Sequence, residues 1–234
     1  MTPLKKQYVD DLKLRNFSTS TIKVYVHAVE RFARFFKRTP DEATVEDVKR
    51  FLVAEINRGM SRSYCVIERN ALRHLFEQTL GRSDHFHSIP RPKRERRLPV
   101  VLSRGEIQSL FSVVENIKHK ALLMVAYDAG LRLSEIRNLQ LEDIDSKRMV
   151  IRIRQGKGKK DRYARLSSGL LELLREYWRA ERPEWLLFPG ARKQQPYNLT
   201  TPGHFLKKLC CKAGITKRVS MHTLRQVYSY CYTS

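Results

Sequence analysis

Three short segments of this sequence carry side chains suited to chemistry at a phosphodiester. Arg132 lies in the segment GLRLSE, Lys157 in GKGKKDR, and both His222 and Arg225 in HTLR. Guanidinium groups bind phosphate oxygens in a bidentate manner, and lysine and histidine can transfer protons. Two arginines, a lysine and a histidine are therefore the set that would stabilise the transition state of a phosphodiester, where negative charge increases.

Taken one at a time, these residues also have ordinary structural interpretations. Arg132 follows the predicted end of an apolar helix, where it would cap carbonyls or pair with Glu135. Lys157 stands between two glycines of a predicted hairpin turn. A lysine there is usually solvated, although such a turn can also carry its ammonium to a ligand. His222 and Arg225 would share a helix face, which alone is weak evidence.

The chain is strongly basic, with 46 Lys and Arg against 24 Asp and Glu in 234 residues and a net charge of +22. Residues 1–98 hold 21 basic and 12 acidic side chains, and residues 99–234 hold 25 and 12, so both halves are cationic. Nucleic acid is the first candidate partner of such a field. A basic RNA-binding protein or a merely cationic soluble protein would have the same composition. The 41% hydrophobic content argues against wholesale disorder.

The cysteines and the first residues of the chain indicate a cellular setting. Cys65, Cys210, Cys211 and Cys231 show no paired metal-ligand spacing, and the adjacent Cys210 and Cys211 cannot easily bridge each other. Buried, reduced thiols are therefore expected, in a cytosolic protein. The start lacks an apolar signal core and no apolar stretch is long enough to span a bilayer. We expect a cytoplasmic location and no membrane partner.

Residues 1–85 are predicted to form a helical domain. Apolar side chains recur every three or four residues in four segments, and helix starts are marked by Pro3, Ser18, Thr44 and Ser61. The aromatic residues follow the same periodicity, which favours core packing over base stacking. Four arginines interpreted as exposed are candidates for phosphate contacts, although a solvated face would have the same pattern. They are Arg58, Arg62, Arg69 and Arg73.

A basic, proline-containing linker is predicted at residues 86–98. Its prolines interrupt the helical periodicity and predict an extended segment. The segment could be a solubilising spacer, but its clustered positive charge favours a segment that follows a phosphate backbone. Its candidate DNA contacts are Lys93, Arg94, Arg96 and Arg97.

Residues 99–234 are predicted to form a second domain, mainly helical with a small antiparallel sheet, so the fold class is α+β. The predicted elements are a helix capped by Ser103, an apolar helix at 118–129, a hairpin of strands at 149–154 and 162–166, helices at 168–180 and 201–213, and a short strand at 186–188. Lys159 and Lys160, in the hairpin turn, are further candidates for DNA contact.

In their order these segments resemble the tyrosine recombinases, the phage integrase family of site-specific DNA recombinases. AGLRLSEI around Arg132 is similar to the first arginine motif, QGKG around Lys157 to the β-hairpin lysine, and HTLR to the histidine and second-arginine motif. CKAGI at 211–215 is similar to the segment that leads into the last motif. The resemblance covers nearly the whole chain and implies a helical core-binding, SAM-like domain followed by a catalytic domain.

The resemblance implies a mechanism. Arg132 and Arg225 would hold the non-bridging oxygens of the scissile phosphate and stabilise its pentacovalent transition state. Lys157 would protonate the leaving 5′ oxygen, and His222 would assist acid–base transfer. A tyrosine would attack and form a 3′-phosphotyrosine link, with no metal or other cofactor. Double-stranded DNA and other recombinase protomers at a synapse would be the partners.

The family pattern is incomplete after Arg225. The family continues with a second histidine, a Leu-Gly-His-like motif and a later nucleophilic tyrosine, whereas this chain continues with QVYSYCYTS. Tyr228, Tyr230 and Tyr232 lie within seven residues of Arg225, which leaves little freedom for in-line attack. We expect a C-terminally truncated chain from a mobile element, with no identified nucleophile and its own activity left open. The alternatives are a catalytically inactive DNA-binding remnant and a basic RNA-binding protein.

Overall fold

Helices dominate both units into which the computed structural model divides the chain, Met1–Arg96 and Arg97–Ser234. The structure describes residues 2–82, 86, 88–91, 98–154, 161–190 and 195–232, with the backbone alone for 228–232. No helix in these ranges combines the length and the apolar character needed to cross a membrane.

The described part of the first unit contains four α-helices, and each begins where a side chain caps its first turn. The helices are α1 (Pro3–Leu14), α2 (Thr19–Phe36), α3 (Val45–Asn57) and α4 (Arg62–His74). The capping side chains of Thr2, Ser18, Thr44 and Ser61 each accept a hydrogen bond from a backbone N–H three residues later. The last helix is followed directly by a π-helical turn at Leu75–Thr79.

The core of the first unit is aromatic. Phe32, Phe51 and Phe76 are almost completely buried, and the Phe32 ring meets the other two edge to face at centroid distances of 5.3 and 6.3 Å. The buried Tyr8 belongs to a smaller cluster with Leu12 and Leu75 and donates its hydroxyl to the Ala71 carbonyl at 2.8 Å. The prediction that the aromatic periodicity reflects core packing is confirmed for these rings.

A charged network, called here the Arg31 network, crosses the same unit. Arg31 donates to Glu55 and to the Tyr64 hydroxyl, and its Nε lies 3.4 Å from a Glu68 oxygen. The side chains of Glu55 and Glu68 are 0% exposed. Burial raises the pKa of Glu68 to about 7; the Glu55 charge raises it too, whereas Arg31 opposes the shift. Glu68 therefore titrates near neutral pH.

The second unit combines six helices with one small sheet over its described residues. The helices are α5 (Arg104–Ser112), α6 (Ile117–Asp128), α7 (Leu133–Arg137), α8 (Ser168–Glu181), α9 (Thr201–Lys212) and α10 (Met221–Tyr232). The strands are β1 (Ile144–Asp145), β2 (Val150–Ile153) and β3 (Arg162–Arg165), in the order β1-β2-β3 and antiparallel throughout. In the register, Ile151 of the central strand pairs with Ile144 on one side and Ala164 on the other.

The sequence-based assignment of strands was wrong at two places in this unit. The strand β1 was not predicted, because two residues are too few to show an alternating pattern. The strand predicted at 186–188 is a single antiparallel bridge between Leu186 and Gln140, outside the sheet. Backbone bonds from Leu187 to Leu139 and from Leu141 to Trp185 flank that bridge.

Helix α6 forms the centre of the second core. Its residues Ala121, Leu123, Val125 and Ala126 are completely buried, and α8 and α10 pack on it. Helix α10 presents Met221, Leu224 and Val227 to this core. Helix α10, which contains Arg225, is thereby packed on α6, the helix that ends just before Arg132.

The cysteines follow the expected burial in part. Cys65 and Cys210 are buried and free, whereas Cys211 is free and exposed. The expectation of burial was wrong for Cys211 because successive residues of α9 point about 100° apart, so its neighbour takes the core position. The side chain of Cys231 lies outside the described residues.

Candidate functional site

Arg132 is held in place by its own helix. Gly130 has φ 63°, a left-handed conformation that turns the chain after α6 and begins the approach to α7. Arg132 is the N-cap of α7, and its backbone N–H donates to Glu135 Oε2 at 2.8 Å. Its Nη1 donates to Glu135 Oε1, also at 2.8 Å. The pairing with Glu135 considered from the sequence is therefore present, and it orients the guanidinium.

A second arginine reaches the same carboxylate from the sheet. Arg162, the first residue of β3, donates Nη2 to Glu135 Oε2 at 2.8 Å. The Glu135 side chain is 5% exposed, whereas the side chains of Arg132 and Arg162 are 34% and 38% exposed. A buried carboxylate thus holds two guanidinium groups that remain accessible to solvent.

Arg225 on α10 completes the group. Burial lowers its pKa most, the charges of Arg132 and Arg162 lower it further, and Glu135 opposes them. Because α10 and α7 both pack on α6, Arg225 lies near enough to Arg132, Arg162 and Glu135 for their charges to act on it. Arg132, Arg162, Arg225 and Glu135 are called the Glu135 cluster below.

The Glu135 cluster has an excess of positive charge. Burial alone would raise the pKa of Glu135, but the hydrogen bonds from Arg132 and the charges of Arg162 and Arg132 outweigh it, and the pKa lies below its ordinary value. Glu135 is therefore ionised at neutral pH, and three guanidinium groups with one carboxylate leave a net charge of +2. A partly desolvated group of this charge is suited to bind an anion with several oxygens.

His222 lies on the same helix as Arg225. The start of α10 is fixed by two reciprocal bonds, from the Ser220 N–H to Thr223 Oγ1 at 3.1 Å and from the Thr223 N–H to Ser220 Oγ at 3.2 Å. His222 is exposed in this first turn, and Arg225 is half-buried one turn later. The structure brings Arg132 and Arg225 into one cluster, and His222 lies three residues before Arg225 in α10. Lys157 lies outside the described residues.

Three of the predicted DNA contacts of the first unit, Arg58, Arg62 and Arg73, are exposed. Ion pairs with Glu55 and Glu77 are formed by Arg58 and Arg73, respectively. The predicted contacts Lys93, Arg94, Arg96, Arg97, Lys159 and Lys160 lie outside the described residues.

The expected exposure of Arg69 was wrong. Its side chain is buried, with the residue only 7% exposed, and its Nη2 donates to the Ile89 carbonyl at 2.8 Å. Its guanidinium also lies 5.7 Å from the centre of the Phe86 ring. Residues 86 and 89 cover the face of α4 on which Arg69 lies, and the periodicity of a helix does not show which other segment will cover it. Arg69 therefore joins α4 to the segment that contains Phe86 and Ile89.

Two members of the Glu135 cluster were not predicted as site residues. Glu135 was considered only as a partner that would neutralise Arg132, and Arg162 only as the start of a strand. A local signal existed for Glu135, which is three residues after an N-cap position. None existed for Arg162, because its partner is 27 residues away in the sequence.

Family models match both units. The model of the phage integrase family matches residues 101–232, and that of the phage integrase N-terminal SAM-like domain matches residues 4–84.

Curated proteins match along nearly the whole length. An integrase/recombinase of Sinorhizobium fredii, y4qK, is 40% identical over 231 residues, which is 98% of this chain and 75% of the relative. The tyrosine recombinase XerC of Bacillus subtilis is 30% identical over 96% of this chain and 81% of the relative.

Solved structures share the architecture. A crystal structure of XerA recombinase matches with 28% identity and a TM-score of 0.51, over 97% of this chain and 82% of that one. A λ integrase dimer bound to a COC′ core site matches with a TM-score of 0.78, over 98% of this chain and 88% of that one. The identity to λ integrase is 15%, so this likeness concerns the fold.

Proposed function

Because this chain belongs to the phage integrase family of tyrosine recombinases, we propose that its Glu135 cluster binds the scissile phosphate of duplex DNA. The reaction is the breakage and rejoining of DNA strands through a 3′-phosphotyrosine. The observation that supports it is the meeting of Arg132 and Arg225, from distant segments, in a cluster of net positive charge. Other protomers at a synapse and a cytoplasmic location belong to the same proposal.

Each catalytic residue has a role that follows from its chemistry. Arg132 and Arg225 bind non-bridging phosphate oxygens and stabilise the added negative charge of the pentacovalent transition state. Lys157 is the general acid for the leaving 5′ oxygen, and His222 assists proton transfer from its exposed position on α10.

The nucleophile is the part of the reaction that we assign to no residue of the 234. Tyr228, Tyr230 and Tyr232 belong to the same helix as Arg225. Positions three to seven residues farther along a helix lie about 4.5–10 Å along its axis. In-line attack requires a nucleophile that approaches the phosphate opposite the leaving oxygen, a freedom that we do not assign to residues of the helix that carries Arg225. We therefore propose that this chain by itself binds DNA without forming the covalent link.

The first experiment separates DNA binding from covalent chemistry. Duplexes that bind the chain are first selected from a random pool. They are then synthesised again with a nick beside each candidate scissile position, so that a cleaved strand cannot religate. We expect retention of the duplex and no covalent adduct on a denaturing gel. A covalent adduct would show that this chain contains a nucleophile and would refute the proposal. Tighter binding of structured RNA than of duplex DNA at matched salt would favour the RNA-binding alternative.

A second experiment supplies a tyrosine from a relative. The segment of the Sinorhizobium fredii relative that follows its match to this chain is fused after residue 232, and the nicked duplexes are tested again. We expect a covalent adduct that Arg225→Gln reduces by about 100-fold or more, since removal of one such donor has that effect in other enzymes. Adduct formation that is insensitive to Arg225→Gln would contradict the proposed site.

The exposed Arg62 and the buried Arg69, both in α4, allow the effect of a DNA contact to be compared with the loss of the same charge elsewhere. If Arg62 contacts a phosphate, Arg62→Gln should reduce the slope of log affinity against log salt concentration by about 0.9. Arg69→Gln removes the same charge from the same helix, but Arg69 is buried against the Ile89 carbonyl, so we expect an unchanged slope and a lower melting temperature. Equal changes of slope would contradict this division.

A further inference from the structure

Arg162 occupies a position in the Glu135 cluster that the proposed mechanism does not use. It donates to Glu135 Oε2, the same oxygen that receives the backbone N–H of Arg132, while Glu135 Oε1 receives Arg132 Nη1. All three bonds are 2.8 Å long. The carboxylate that orients Arg132 is thus shared with a second guanidinium from β3.

The charge balance shows what Arg162 contributes. Without it, Glu135 would neutralise one of the two remaining arginines, and the cluster would have a net charge of +1. With it, the net charge is +2, equal and opposite to the two negative charges of a pentacovalent phosphorane. Glu135 is buried and Arg132 is about one-third exposed, so this charge is presented in partly desolvated surroundings, where it acts strongly.

The strand geometry separates Arg162 from its neighbours. Arg162 and the buried Ala164 lie on the inner face of β3, whereas Tyr163 and Arg165 are exposed on the other face. The ion pair between Arg152 and Asp161, in the same hairpin, has a distance of 3.5 Å and two half-exposed side chains, as is usual for a surface pair. Arg162 is the arginine of β3 that reaches a buried carboxylate.

We propose that Arg162 is a positioning residue for the phosphate site: it neutralises Glu135, so that Glu135 can orient Arg132 without cancelling its attraction for the anion. The inference rests on the proposed function, since it assigns Arg162 to the same phosphate site. A merely structural Arg162 would tie β3 to α7 and would have no specific effect on anion affinity.

The test uses the full chain and inorganic orthovanadate, a phosphate analogue that can become five-coordinate, with binding measured by calorimetry. Arg162→Gln should weaken vanadate binding about tenfold. The double variant Arg162→Gln with Glu135→Gln also has a net charge of +2 in the cluster, and the amide still accepts a bond from Arg132, so we expect affinity within about threefold of wild type. If Arg162 only joined β3 to α7, removal of the Glu135 charge would not restore the vanadate affinity.

Two further variants control for charge and folding. Arg165→Gln removes the same charge from the outer face of the same strand, and should leave vanadate affinity unchanged. Arg162→Lys keeps the charge with a single donor group, and should bind within about threefold of wild type even if Arg162→Gln does not fold.

The outcomes distinguish this inference from the proposed function. If wild type binds vanadate but Arg162→Gln has no effect, or the double variant is as weak as Arg162→Gln, the role of Arg162 is refuted and the proposed function stands. If Arg162→Lys folds and loses affinity tenfold, the charge explanation is refuted. If wild type fails to bind vanadate, the inference is overturned, while the grafted-tail experiment still decides the proposed function.

Discussion

The two units each contain a cluster of arginine and glutamate, with a different balance of buried carboxylate and arginine. In the first unit, the half-buried Arg31 lies between two completely buried carboxylates, Glu55 and Glu68, and the second arginine that pairs with Glu55, Arg58, is 62% exposed. In the second unit, the single buried carboxylate of Glu135 lies among three guanidinium groups. The pKa of Glu68 is raised to about 7, whereas that of Glu135 is lowered.

The difference shows that the ratio of carboxylates to arginines decides what a cluster of these side chains can do. An excess of buried carboxylate is relieved by taking up a proton, so the Arg31 network can become neutral without any ligand. An excess of arginine cannot be relieved in that way, because guanidinium groups keep their protons at any physiological pH. The Glu135 cluster therefore stays positive until an anion binds. The first cluster is suited to a structural role, and the second to a binding site.

The largest expected effect is the loss of the half-buried cation of the Arg31 network. Arg31→Met leaves Glu68 without its cation and Glu55 with only the exposed Arg58, and should lower the free energy of unfolding of the first unit by about 3 kcal/mol. Hydrogen exchange of peptides from residues 2–82 measures that unit. Trp178 and Trp185, the two tryptophans of the chain, report on the other unit by fluorescence and should not change.

A matched control for this variant is Arg34→Ala, at an exposed position one turn further along α2, where we expect a change within about 0.5 kcal/mol. Adding Glu55→Gln and Glu68→Gln to Arg31→Met should recover most of the lost stability. If Arg31→Met were as stable as Arg34→Ala, the network would have no structural role.

The next effect is a pH dependence specific to Glu68. Between pH 4.5 and about 7 the folded state retains a proton on Glu68 that the unfolded chain has released, so stability falls as pH rises through this window. The full difference is on the order of 3 kcal/mol. Arg31, Glu55, Tyr64 and Cys65 surround this group, and the Glu68→Gln variant keeps them all.

Glu68→Gln should therefore remove that decline and be more stable than wild type above pH 7. The measurement is hydrogen exchange of the first unit from pH 5 to pH 8, corrected for the intrinsic exchange rate. A decline of equal slope in both proteins would show that another group titrates.

In the Glu135 cluster the converse result is expected, because removal of a cation relieves repulsion. Arg225→Gln should weaken vanadate binding about tenfold, or ~1.4 kcal/mol, and leave the stability of the second unit unchanged or slightly higher. Calorimetry and tryptophan fluorescence in denaturant measure the two quantities. Arg218→Gln, at an exposed position in the loop before α10, should change neither. A destabilised Arg225→Gln protein would contradict the contrast between the clusters.

The smallest effect concerns the solvent-facing edge of the Arg31 network. Arg58 donates to Glu55 at 3.0 Å, but its side chain is 62% exposed and Arg31 already compensates that carboxylate. Arg58→Ala should lower the stability of the first unit by about 0.5 kcal/mol, and this loss should shrink at high salt. A loss as large as that of Arg31→Met would mean that exposure does not decide the strength of these pairs.

Local signals allowed much of the fold to be predicted. Ser18, Thr44 and Ser61 cap helices where expected, and the capping box of Ser103 and Glu106 begins α5. The family resemblance and the mainly helical fold are confirmed by the matched regions. The strand assigned to 186–188 was wrong because strand pairing depends on a partner elsewhere, here Gln140.

Contacts between distant segments explain what could not be predicted in the site. The position of Arg69 in its helix is typical of a surface arginine, but residues 86 and 89 cover it in the folded protein. Arg162 resembles any charged residue at a strand end, and the packing of β3 beside α7 brings it to Glu135. The catalytic roles of Arg132, Lys157, His222 and Arg225 stay predictions that the experiments above test.

The amino-acid order alone established the positive charge, the helix starts and the sequence of motifs that contain Arg132, Lys157, His222 and Arg225. These depend on residue type and on interactions within about four residues, which a linear pattern records. The tertiary structure decided which arginines are buried, which carboxylate each one meets and which cluster stays charged. Burial and charge compensation arise between segments far apart in the chain, so they exist only once the helices and strands have packed.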